Sequence, residues 1–315
     1  MDVFLDGLQG FGDQIYQRPF VRTALQRCQS VFLRTPLPEF YWDLKSGGRL
    51  KFVKWGTRLR TQRILESGKP GHVWSKPPSL TGKRRLAYTG RDLRRGVSIL
   101  GSIRKHCGFI PAQDLSFPLK ENWYNHARTA LRCASIAEGE PFVAVHWPTI
   151  RKEWRNISRN PDPDGWRALV KWVNTRYKTL SINDVDGRLE VFDGIPEQAS
   201  SRYDAGECPV PVIAAILSMA QFCITSPGLW LPLGLSVSAR IVLVVGGYLP
   251  SRLMVEPWMV KSDFLVIEPE KPCCCVQHEH SCEKRFDVGR ALHALAGFCR
   301  IEAASGGRRT SVVSA

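Results

Sequence analysis

The chain has 315 residues, of which 43% are hydrophobic and 23% charged, and its formal net charge is +15. This is the composition of a globular protein of about two domains, and it excludes a chain that is disordered as a whole. The excess of Lys and Arg favours a polyanionic partner, such as nucleic acid, a phosphorylated glycan or an anionic membrane face.

Residues 2–35 have the pattern of a βαβ unit. A short apolar run over 2–6 is followed by a glycine-rich loop over 7–12, by apolar residues at helical spacing over 13–28 and by a second apolar run over 30–33. No basic flank precedes an apolar core at the N-terminus, so no signal peptide is expected and we predict a cytoplasmic protein.

The glycine-rich loop reads Gly7-Leu8-Gln9-Gly10-Phe11-Gly12-Asp13. Its spacing, G-x-x-G-x-G, differs from the G-x-G-x-x-G fingerprint of dinucleotide-binding folds, which disfavours a nicotinamide enzyme. Glycines here still let a ligand approach the backbone and the N-terminus of the following helix. Asp13 lies where that helix begins, which leaves two interpretations: an N-cap that satisfies free N–H groups, or a carboxylate that serves as a general base.

The middle of the chain separates two halves. Residues 45–95 are rich in basic residues, Gly and Pro and are predicted as loops and short strands, whereas residues 96–135 are predicted to be largely helical. A linker at 138–141 precedes a buried strand at 142–146. We therefore predict an N-terminal α/β domain over 1–138, a C-terminal α/β domain over 139–302 and a disordered tail over 303–315.

The C-terminal half alternates helices with strands: helix 166–177, strand 189–192, helix 211–220, strand 222–225, helix 229–235 and strand 241–245. Alternation of this kind predicts a parallel sheet with helices on both faces, so the fold class is α/β. Two Rossmann-like domains of this type are expected to face a cleft at the carboxyl ends of their strands, where ligands bind. Residues 209–239 carry no charge, but proline and glycine interrupt them, so we predict buried core and no transmembrane segment.

The opening Gly10-Phe11-Gly12-Asp13-Gln14-Ile15, followed by a helix that contains Pro19, resembles the start of the heptosyltransferase-like (family 9 type) glycosyltransferases. Members of that family have a Gly-Asp pair after the first strand, and their aspartate activates an acceptor hydroxyl. The resemblance implies a GT-B type fold, with Asp13 as the catalytic base and Gly10, Gly12 and Gln14 on the acceptor side. It also implies that catalysis requires no cofactor.

A second part of the resemblance follows the strand at 142–146. Family members have a hydroxyl residue and a lysine shortly before a tryptophan, and here Thr149, Arg151 and Lys152 precede Trp154. The resemblance implies that Thr149 and Lys152 hold the diphosphate of the donor, with Arg151 and Arg155 as helpers. A fixed cation and a hydroxyl suit a departing nucleoside diphosphate, because that group develops negative charge. The alternative is a solvated basic turn.

A third part of the resemblance lies between residues 210 and 247. Members carry Asp-Thr/Ser-Gly before a histidine-containing helix, whereas this chain has Ser226-Pro227-Gly228 followed by Trp230-Leu231-Pro232. The loop with Ser226 and Gly228 is expected to hold phosphate at a helix N-terminus. The alternative is that this stretch is core, with Thr225 and Ser226 as caps.

Four of the ten cysteines lie with two histidines between residues 273 and 282. Structural zinc takes four tetrahedral ligands from Cys and His. Three adjacent cysteines do not easily all reach one ion, so the feasible ligands are Cys273, Cys275, His280 and Cys282, or the same set with His278 in place of His280. The alternative to structural zinc is a loop of reduced thiols.

These patterns together predict a hexosyl- or heptosyltransferase. Its partners would be a nucleotide-diphosphate-sugar and a polyanionic acceptor, and Asp13 would act without a metal. The acceptor is either a phosphorylated bacterial glycan, such as lipopolysaccharide core, or a hydroxylated base in phage DNA. The competing hypothesis is a non-enzymatic, basic nucleic-acid-binding protein with a Cys/His zinc knuckle.

Overall fold

The computed structural model describes residues 2–45, 47–55, 74–76, 83–152, 157–300 and 310–314. The chain forms two compact units, Met1–Phe117 and Pro118–Ala315. Both are α/β units built on parallel sheets, as the alternation of predicted elements indicates.

The first unit is built on a four-stranded parallel sheet. Its strands are β1 (Asp2–Asp6), β2 (Ser30–Thr35), β3 (Leu50–Lys54) and β4 (Lys83–Arg85), in the spatial order β3-β2-β1-β4. The other described elements are helices α1 (Phe11–Arg27), α2 (Gly90–Arg94) and α3 (Ile99–Cys107) and a 3-10 helix, Pro38–Leu44. The predicted βαβ unit is confirmed, with the helix beginning at Phe11.

Helix α1 is buried on nearly all sides, and even Arg18 in its middle is fully buried. The Arg18 guanidinium donates to Ser116 O (2.6 and 2.9 Å), to Phe40 O and to Asp43 Oδ2 (2.8 Å). Burial lowers the pKa of Arg18, and the hydrogen bond to Asp43 acts in the opposite direction. A buried ion is tolerated only when it is paired and hydrogen-bonded in this way, so Arg18 fixes α1 to two distant segments.

The second unit is built on a seven-stranded sheet in the order β13-β12-β11-β10-β5-β7-β9, with every neighbouring pair parallel. These strands are β5 (Phe142–Val145), β7 (Lys178–Ile182), β9 (Ser201–Tyr203), β10 (Phe222–Thr225), β11 (Ile241–Val244), β12 (Phe264–Glu268) and β13 (Thr310–Ser314). The central strands β5, β10, β11 and β12 are buried along their whole length, which is typical of a sheet covered on both faces. A separate antiparallel ribbon joins β6 (Thr149–Arg151) to β8 (Glu190–Phe192).

Among the residues that the structure describes, six α-helices accompany this sheet: α4 (Glu121–Cys133), α5 (Pro163–Asn174), α6 (Val210–Met219), α7 (Trp230–Ser236), α8 (Ser251–Met254) and α9 (Val288–Arg300). Helix α5 begins where Pro163 follows Asp162, whose carboxylate accepts from Gly165 N–H (2.8 Å). Trp166 of α5 and Leu295 of α9 lie in the same core cluster as Val143, Phe222 and Val242 of the sheet.

The uncharged stretch 209–239 is core, as predicted. It forms α6, β10 and α7, and nearly all of the residues in these three elements are buried. Across the ranges that the structure describes, no helix combines the length and the apolar character needed to cross a membrane.

The structure also contains elements that the sequence patterns do not predict. Strand β13 falls within 303–315, the predicted tail, and pairs with β12. The run Thr310-Ser311-Val312-Val313 is rich in β-branched residues, which suit a strand; residues 301–309 lie outside the described ranges. The units divide at 117–118, whereas the boundary is predicted at 138–139. Helix α4 therefore belongs to the second unit, where Tyr203 OH donates to Ala130 O (2.7 Å).

Candidate functional site

The carboxyl end of β1 leads into the glycine-rich loop, which two fully buried glutamines of α1 hold in place. Leu8 N–H donates to Gln17 Oε1 (3.0 Å), Gln17 Nε2 donates to Asp13 O (2.9 Å), and Gln14 Nε2 donates to Leu8 O (2.5 Å). A Cβ on Gly7 would lie 2.5 Å from Gln17 Oε1 and 2.6 Å from a backbone oxygen of β2, so only glycine fits there. These contacts hold the glycine-rich loop in a single backbone conformation.

The three residues predicted on the acceptor side have different surroundings. Gly10 and Gly12 are partly exposed, at the N-cap and in the first turn of α1. Gln14 is buried, and its Oε1 accepts from Thr35 Oγ1 (2.8 Å) and from Tyr41 OH (3.1 Å). The side-chain amide of Gln14 is thus hydrogen-bonded within the protein and supports the glycine-rich loop.

Asp13 lies in the first turn of α1 but does not cap it. The N-cap is Gly10, which provides no side chain, so the N-cap interpretation of Asp13 is wrong. Asp13 Oδ1 accepts from Tyr88 OH (3.1 Å), and a Cβ on Gly10 would lie 2.5 Å from Asp13 Oδ2. Burial, and then the charge of Asp13, raise the pKa of Tyr16. A partly exposed carboxylate that accepts a hydrogen bond from a tyrosine hydroxyl has the chemistry of a general base.

In the second unit, β5 ends beside His146, whose ring stacks on Trp230 with centroids 5.0 Å apart. His146 Nδ1 lies 3.0 Å from Ile182 O, so it donates to that carbonyl and leaves Nε2 as the acceptor nitrogen. Burial lowers the pKa of His146, and the charges of Arg151 and Arg159 act in the same direction. A neutral imidazole therefore lies at the carboxyl end of β5.

The lowered pKa of His146 predicts a specific acid sensitivity. The unfolded chain takes up a proton at a pKa of about 6.5 that the folded protein resists, so folding stability should fall as the pH drops below that value. The loss is at most about 1.4 kcal/mol per pH unit for one such group. Urea unfolding between about pH 7.5 and pH 5 should show a shallower decline for His146→Gln than for the wild type; parallel declines would contradict the assignment.

On the ribbon of β6 and β8, two of the predicted diphosphate-binding residues form hydrogen bonds to the same buried glutamate. Thr149 Oγ1 donates to Glu190 Oε1 (2.7 Å), and Arg151 Nε donates to Glu190 Oε2 (2.8 Å). The Glu190 side chain is 6% exposed and that of Arg151 is 30% exposed. The hydroxyl hydrogen of Thr149 is therefore donated to Glu190, whereas Arg151 is partly exposed beside the same carboxylate.

Lys152 lies at the end of this ribbon, where its backbone N–H donates to Leu189 O (2.8 Å). Lys152 is exposed, so it belongs to the accessible surface of the ribbon. Trp154 and Arg155, which complete the predicted motif, lie outside the described residues. Within the described part of the motif, the ribbon thus presents cationic side chains beside a buried carboxylate.

Strand β10 leads into the predicted phosphate loop. The hydroxyl of Thr225 donates to Ser226 O (3.0 Å), and Ser226 is buried. A Cβ on Gly228 would meet no atom within 4 Å, and Gly228 is not among the residues with positive φ. Neither packing against the described residues nor backbone conformation requires glycine at this position. The open backbone at Gly228 leaves room for a ligand.

Sequence patterns do not predict the turn at residues 157–160, which also lies near this edge of the sheet. Asn160 Nδ2 donates to the backbone oxygen of Thr149 (3.0 Å) and to Asp193 Oδ2 (2.8 Å). A Cβ on Gly246 would lie 2.9 Å from Arg159 O, so the turn lies against the carboxyl end of β11. These partners are distant in sequence, so no local pattern reveals them.

The predicted Cys/His cluster brings four ligand atoms within 4.8 Å of one another, those of Cys273, Cys275, His280 and Cys282. The sulfurs of Cys275 and Cys282 are 3.6 Å apart, and His280 Nδ1 lies 3.3 Å from Cys282 Sγ and 3.7 Å from Cys273 Sγ. A tetrahedral zinc with bonds of about 2.3 Å to sulfur and about 2.0 Å to nitrogen requires ligand separations of about 3.5–3.8 Å. The four residues could therefore hold a metal ion.

The structure selects His280 over His278 for this cluster. The ring of His278 packs on that of Tyr248, with centroids 5.1 Å apart. Burial lowers the pKa of His278, and the charge of Arg159 contributes to the same shift. His278 thus joins the Cys/His cluster to the 157–160 turn instead of completing the set of ligands.

No protein-family model matches the chain, and no curated protein matches its sequence. Solved structures match its fold. The family 9 glycosyl transferase of Veillonella parvula matches over 95% of this chain and 97% of its own, with a TM-score of 0.60 and 10% identity. The ADP-heptose lipopolysaccharide heptosyltransferase II of E. coli matches over 96% and 100%, with a TM-score of 0.58 and 11% identity.

A third match is the iron-containing dodecameric glycosyltransferase TibC of enterotoxigenic E. coli. It covers 87% of this chain and 64% of the TibC chain, with a TM-score of 0.54 and 16% identity. At such identities the likeness is one of fold, and it confirms the GT-B type α/β architecture that the motifs predict. The chain therefore has the fold of the heptosyltransferase-like glycosyltransferases of family 9.

Proposed function

We propose that the protein is a glycosyltransferase that moves a sugar from a nucleotide-diphosphate donor to a hydroxyl of an anionic acceptor. The observation that carries this proposal is the fold likeness over 95% of this chain and 97% of the Veillonella parvula glycosyl transferase. Three local features support it: the oriented carboxylate of Asp13, the cationic ribbon that ends at Lys152, and the open backbone at Gly228.

In the proposed reaction, the acceptor oxygen attacks the anomeric carbon while the Asp13 carboxylate accepts the hydroxyl proton. The bond from that carbon to the diphosphate breaks, and its electron pair leaves with the nucleoside diphosphate. Arg151 and Lys152 stabilise the negative charge that develops on this leaving group, so no metal takes part in the step. Thr149 keeps the ribbon in shape, because its hydroxyl hydrogen is donated to Glu190.

The donor nucleotide is identified by thermal shift with ADP-, UDP-, GDP- and dTDP-linked sugars. An ADP-linked heptose is the first donor to test, because the E. coli heptosyltransferase II of the same fold is named for it. At least one donor should raise the melting temperature by mass action. If the protein binds none of these sugar nucleotides but does bind duplex DNA, the result would instead support the nucleic-acid-binding alternative.

We propose an anionic glycan as the acceptor, since the net charge of +15 favours a polyanion and a matching fold belongs to a lipopolysaccharide heptosyltransferase. Transfer of labelled sugar to lipopolysaccharide core and to hydroxymethylated DNA compares the two predicted acceptors directly. Label on the DNA alone, together with duplex binding that weakens steeply with salt, would show that the acceptor is a nucleic acid and not a glycan.

Replacing Gly228 by alanine tests the phosphate loop. Because the new Cβ has no neighbour within 4 Å, Gly228→Ala should leave the melting temperature nearly unchanged, whereas the dissociation constant of the nucleotide should rise about tenfold where the methyl meets a ligand. Gly297→Ala in α9 is the matched control, since its Cβ is equally open and it is remote from the loop in sequence. Equal nucleotide affinity in both variants would show that Gly228 is not part of the donor site.

We assign structural zinc to the Cys/His cluster, since its ligand types and separations match those of a tetrahedral site. A bound ion would crosslink a stretch, residues 269–287, that contains neither helix nor strand. Elemental analysis of the purified protein should give one zinc ion per chain. The related fold of TibC is described as iron-containing, so iron is measured in the same experiment.

A further inference from the structure

The Cys/His loop, defined as residues 273–285, is joined by hydrogen bonds to the 157–160 turn. Ser158 N–H donates to His278 O (3.2 Å), and Ser158 Oγ donates to His278 O (2.9 Å) and to Gln277 O (2.5 Å). Lys284 Nζ donates to the backbone oxygen of Ile157. Ser158 is fully buried, so this junction is an internal part of the second unit.

The same turn and the same loop also contact the carboxyl end of β11. Gly247 N–H donates to Ser158 O (2.9 Å), and a Cβ on Gly246 would lie 2.0 Å from Asn160 O. A Cβ on Gly247 would lie 2.1 Å from the Cβ of Cys282, which is one of the four ligand residues. The end of β11 therefore packs closely against the backbone of the turn and against the Cys282 side chain of the Cys/His loop.

This arrangement determines where Arg159 lies. Its two neighbours, Ser158 and Asn160, are both buried, and a Cβ on Gly246 at the end of β11 would lie 2.9 Å from Arg159 O. The backbone of Arg159 therefore lies at the carboxyl end of β11, on the edge at which open α/β sheets bind their ligands. A guanidinium suits a diphosphate, because it donates in a fixed fork to two phosphate oxygens.

The conformation of the Cys/His loop depends in turn on what holds its four ligands. Residues 269–287 form no helix or strand, so the loop has few backbone hydrogen bonds of its own. A four-coordinate ion would fix Cys273, Cys275, His280 and Cys282 at once. Loss of the ion is expected to loosen the carbonyls at 277 and 278 that accept from Ser158.

We propose that the metal-loaded Cys/His loop is a positioning element of the donor site, and that Arg159 is the diphosphate-binding cation that it holds in place. The inference rests on the proposed function, because the ligand is the nucleotide of the sugar donor. Metal occupancy then sets nucleotide affinity although no metal contacts the nucleotide. Arg159 joins Arg151 and Lys152 as a cation of the site.

Equilibrium binding of ADP, UDP, GDP and dTDP, measured by calorimetry on the full chain, tests this inference. Removal of the metal by a chelator, or by Cys282→Ser, should weaken the best nucleotide about 10- to 100-fold. Cys274→Ser is the matched control in the same loop, and it should keep both the metal and the affinity. Arg159→Met should keep the metal and lose about tenfold or more in affinity.

Ser158→Ala separates positioning from metal binding. It leaves all four ligands intact, so metal content should stay the same while nucleotide affinity falls about 2- to 10-fold through the lost hydrogen bonds. Full affinity in a folded, metal-free protein, or in Arg159→Met, would overturn the inference.

Hydrogen exchange provides a second readout that needs no nucleotide. The amides of Ser158 and Gly247 should exchange faster once the metal is removed, because their acceptors lie at the junction between the turn and the loop. If no nucleotide binds the metal-loaded wild type, the proposed function fails. If exchange at these amides does not respond to the metal, the positioning role fails by itself.

Discussion

Asp13→Asn should reduce sugar transfer by about 10²- to 10⁴-fold, the range typical of losing a general base. The amide keeps the size of the side chain and can still accept from Tyr88 OH, but it cannot take up the acceptor proton. The dissociation constant of the donor nucleotide should remain unchanged, because the predicted donor contacts lie in the second unit. Steady-state transfer assays together with calorimetry measure both quantities.

Two further variants sharpen this test. Tyr88→Phe removes the hydrogen bond to Asp13 Oδ1 and should lower transfer by a smaller factor, since it loosens the carboxylate without removing it. Asp2→Asn alters an exposed carboxylate at the start of β1 and should have no effect. Transfer by Asp13→Asn within a few-fold of the wild type would show that another group accepts the proton.

Gly246→Ala should destabilise the second unit by about 3 kcal/mol, the upper part of the usual range for overpacked sites. Its Cβ would lie 2.0 Å from Asn160 O and 2.9 Å from Arg159 O, and both atoms belong to the backbone. The turn therefore has to move, and Arg159 would move with it. The midpoint of urea unfolding measures the loss of stability.

Gly297→Ala again serves as the control, because its Cβ meets nothing within 4 Å and alanine suits a helix interior better than glycine. It should unfold at an equal or slightly higher urea concentration than the wild type. A Gly246→Ala protein with the stability of the wild type would mean that the turn is not packed against β11 as described.

The parts of the site that can be predicted from sequence are those whose residues lie close together along the chain. Asp13 and its glycines lie within a few residues of one another, and the Cys/His ligands are spaced within one short loop, so pattern and chemistry suffice to propose them. The buried stretch 209–239 is equally local, since the absence of charge and the presence of proline distinguish core from a membrane span.

The contacts that fix Arg159 could not be predicted, because they depend on long-range packing. Ser158 bonds to carbonyls 119 and 120 residues further along the chain, and Gly246 is needed only because Asn160 lies against it. Strands β7 and β12 are also missed. Each is a run of five residues, too short for periodicity to separate a strand from a buried helical segment.

The buried Arg18 has a consequence for the order in which the first unit forms during synthesis. Domains generally fold as units, N-terminal first, as the chain leaves the ribosome. The guanidinium of Arg18 finds its last acceptor, Ser116 O, 98 residues downstream, and until then α1 would have to bury a cation that lacks partners. A nascent chain released before Ser116 should therefore remain a substrate for chaperones, even though it contains all four strands of the first sheet.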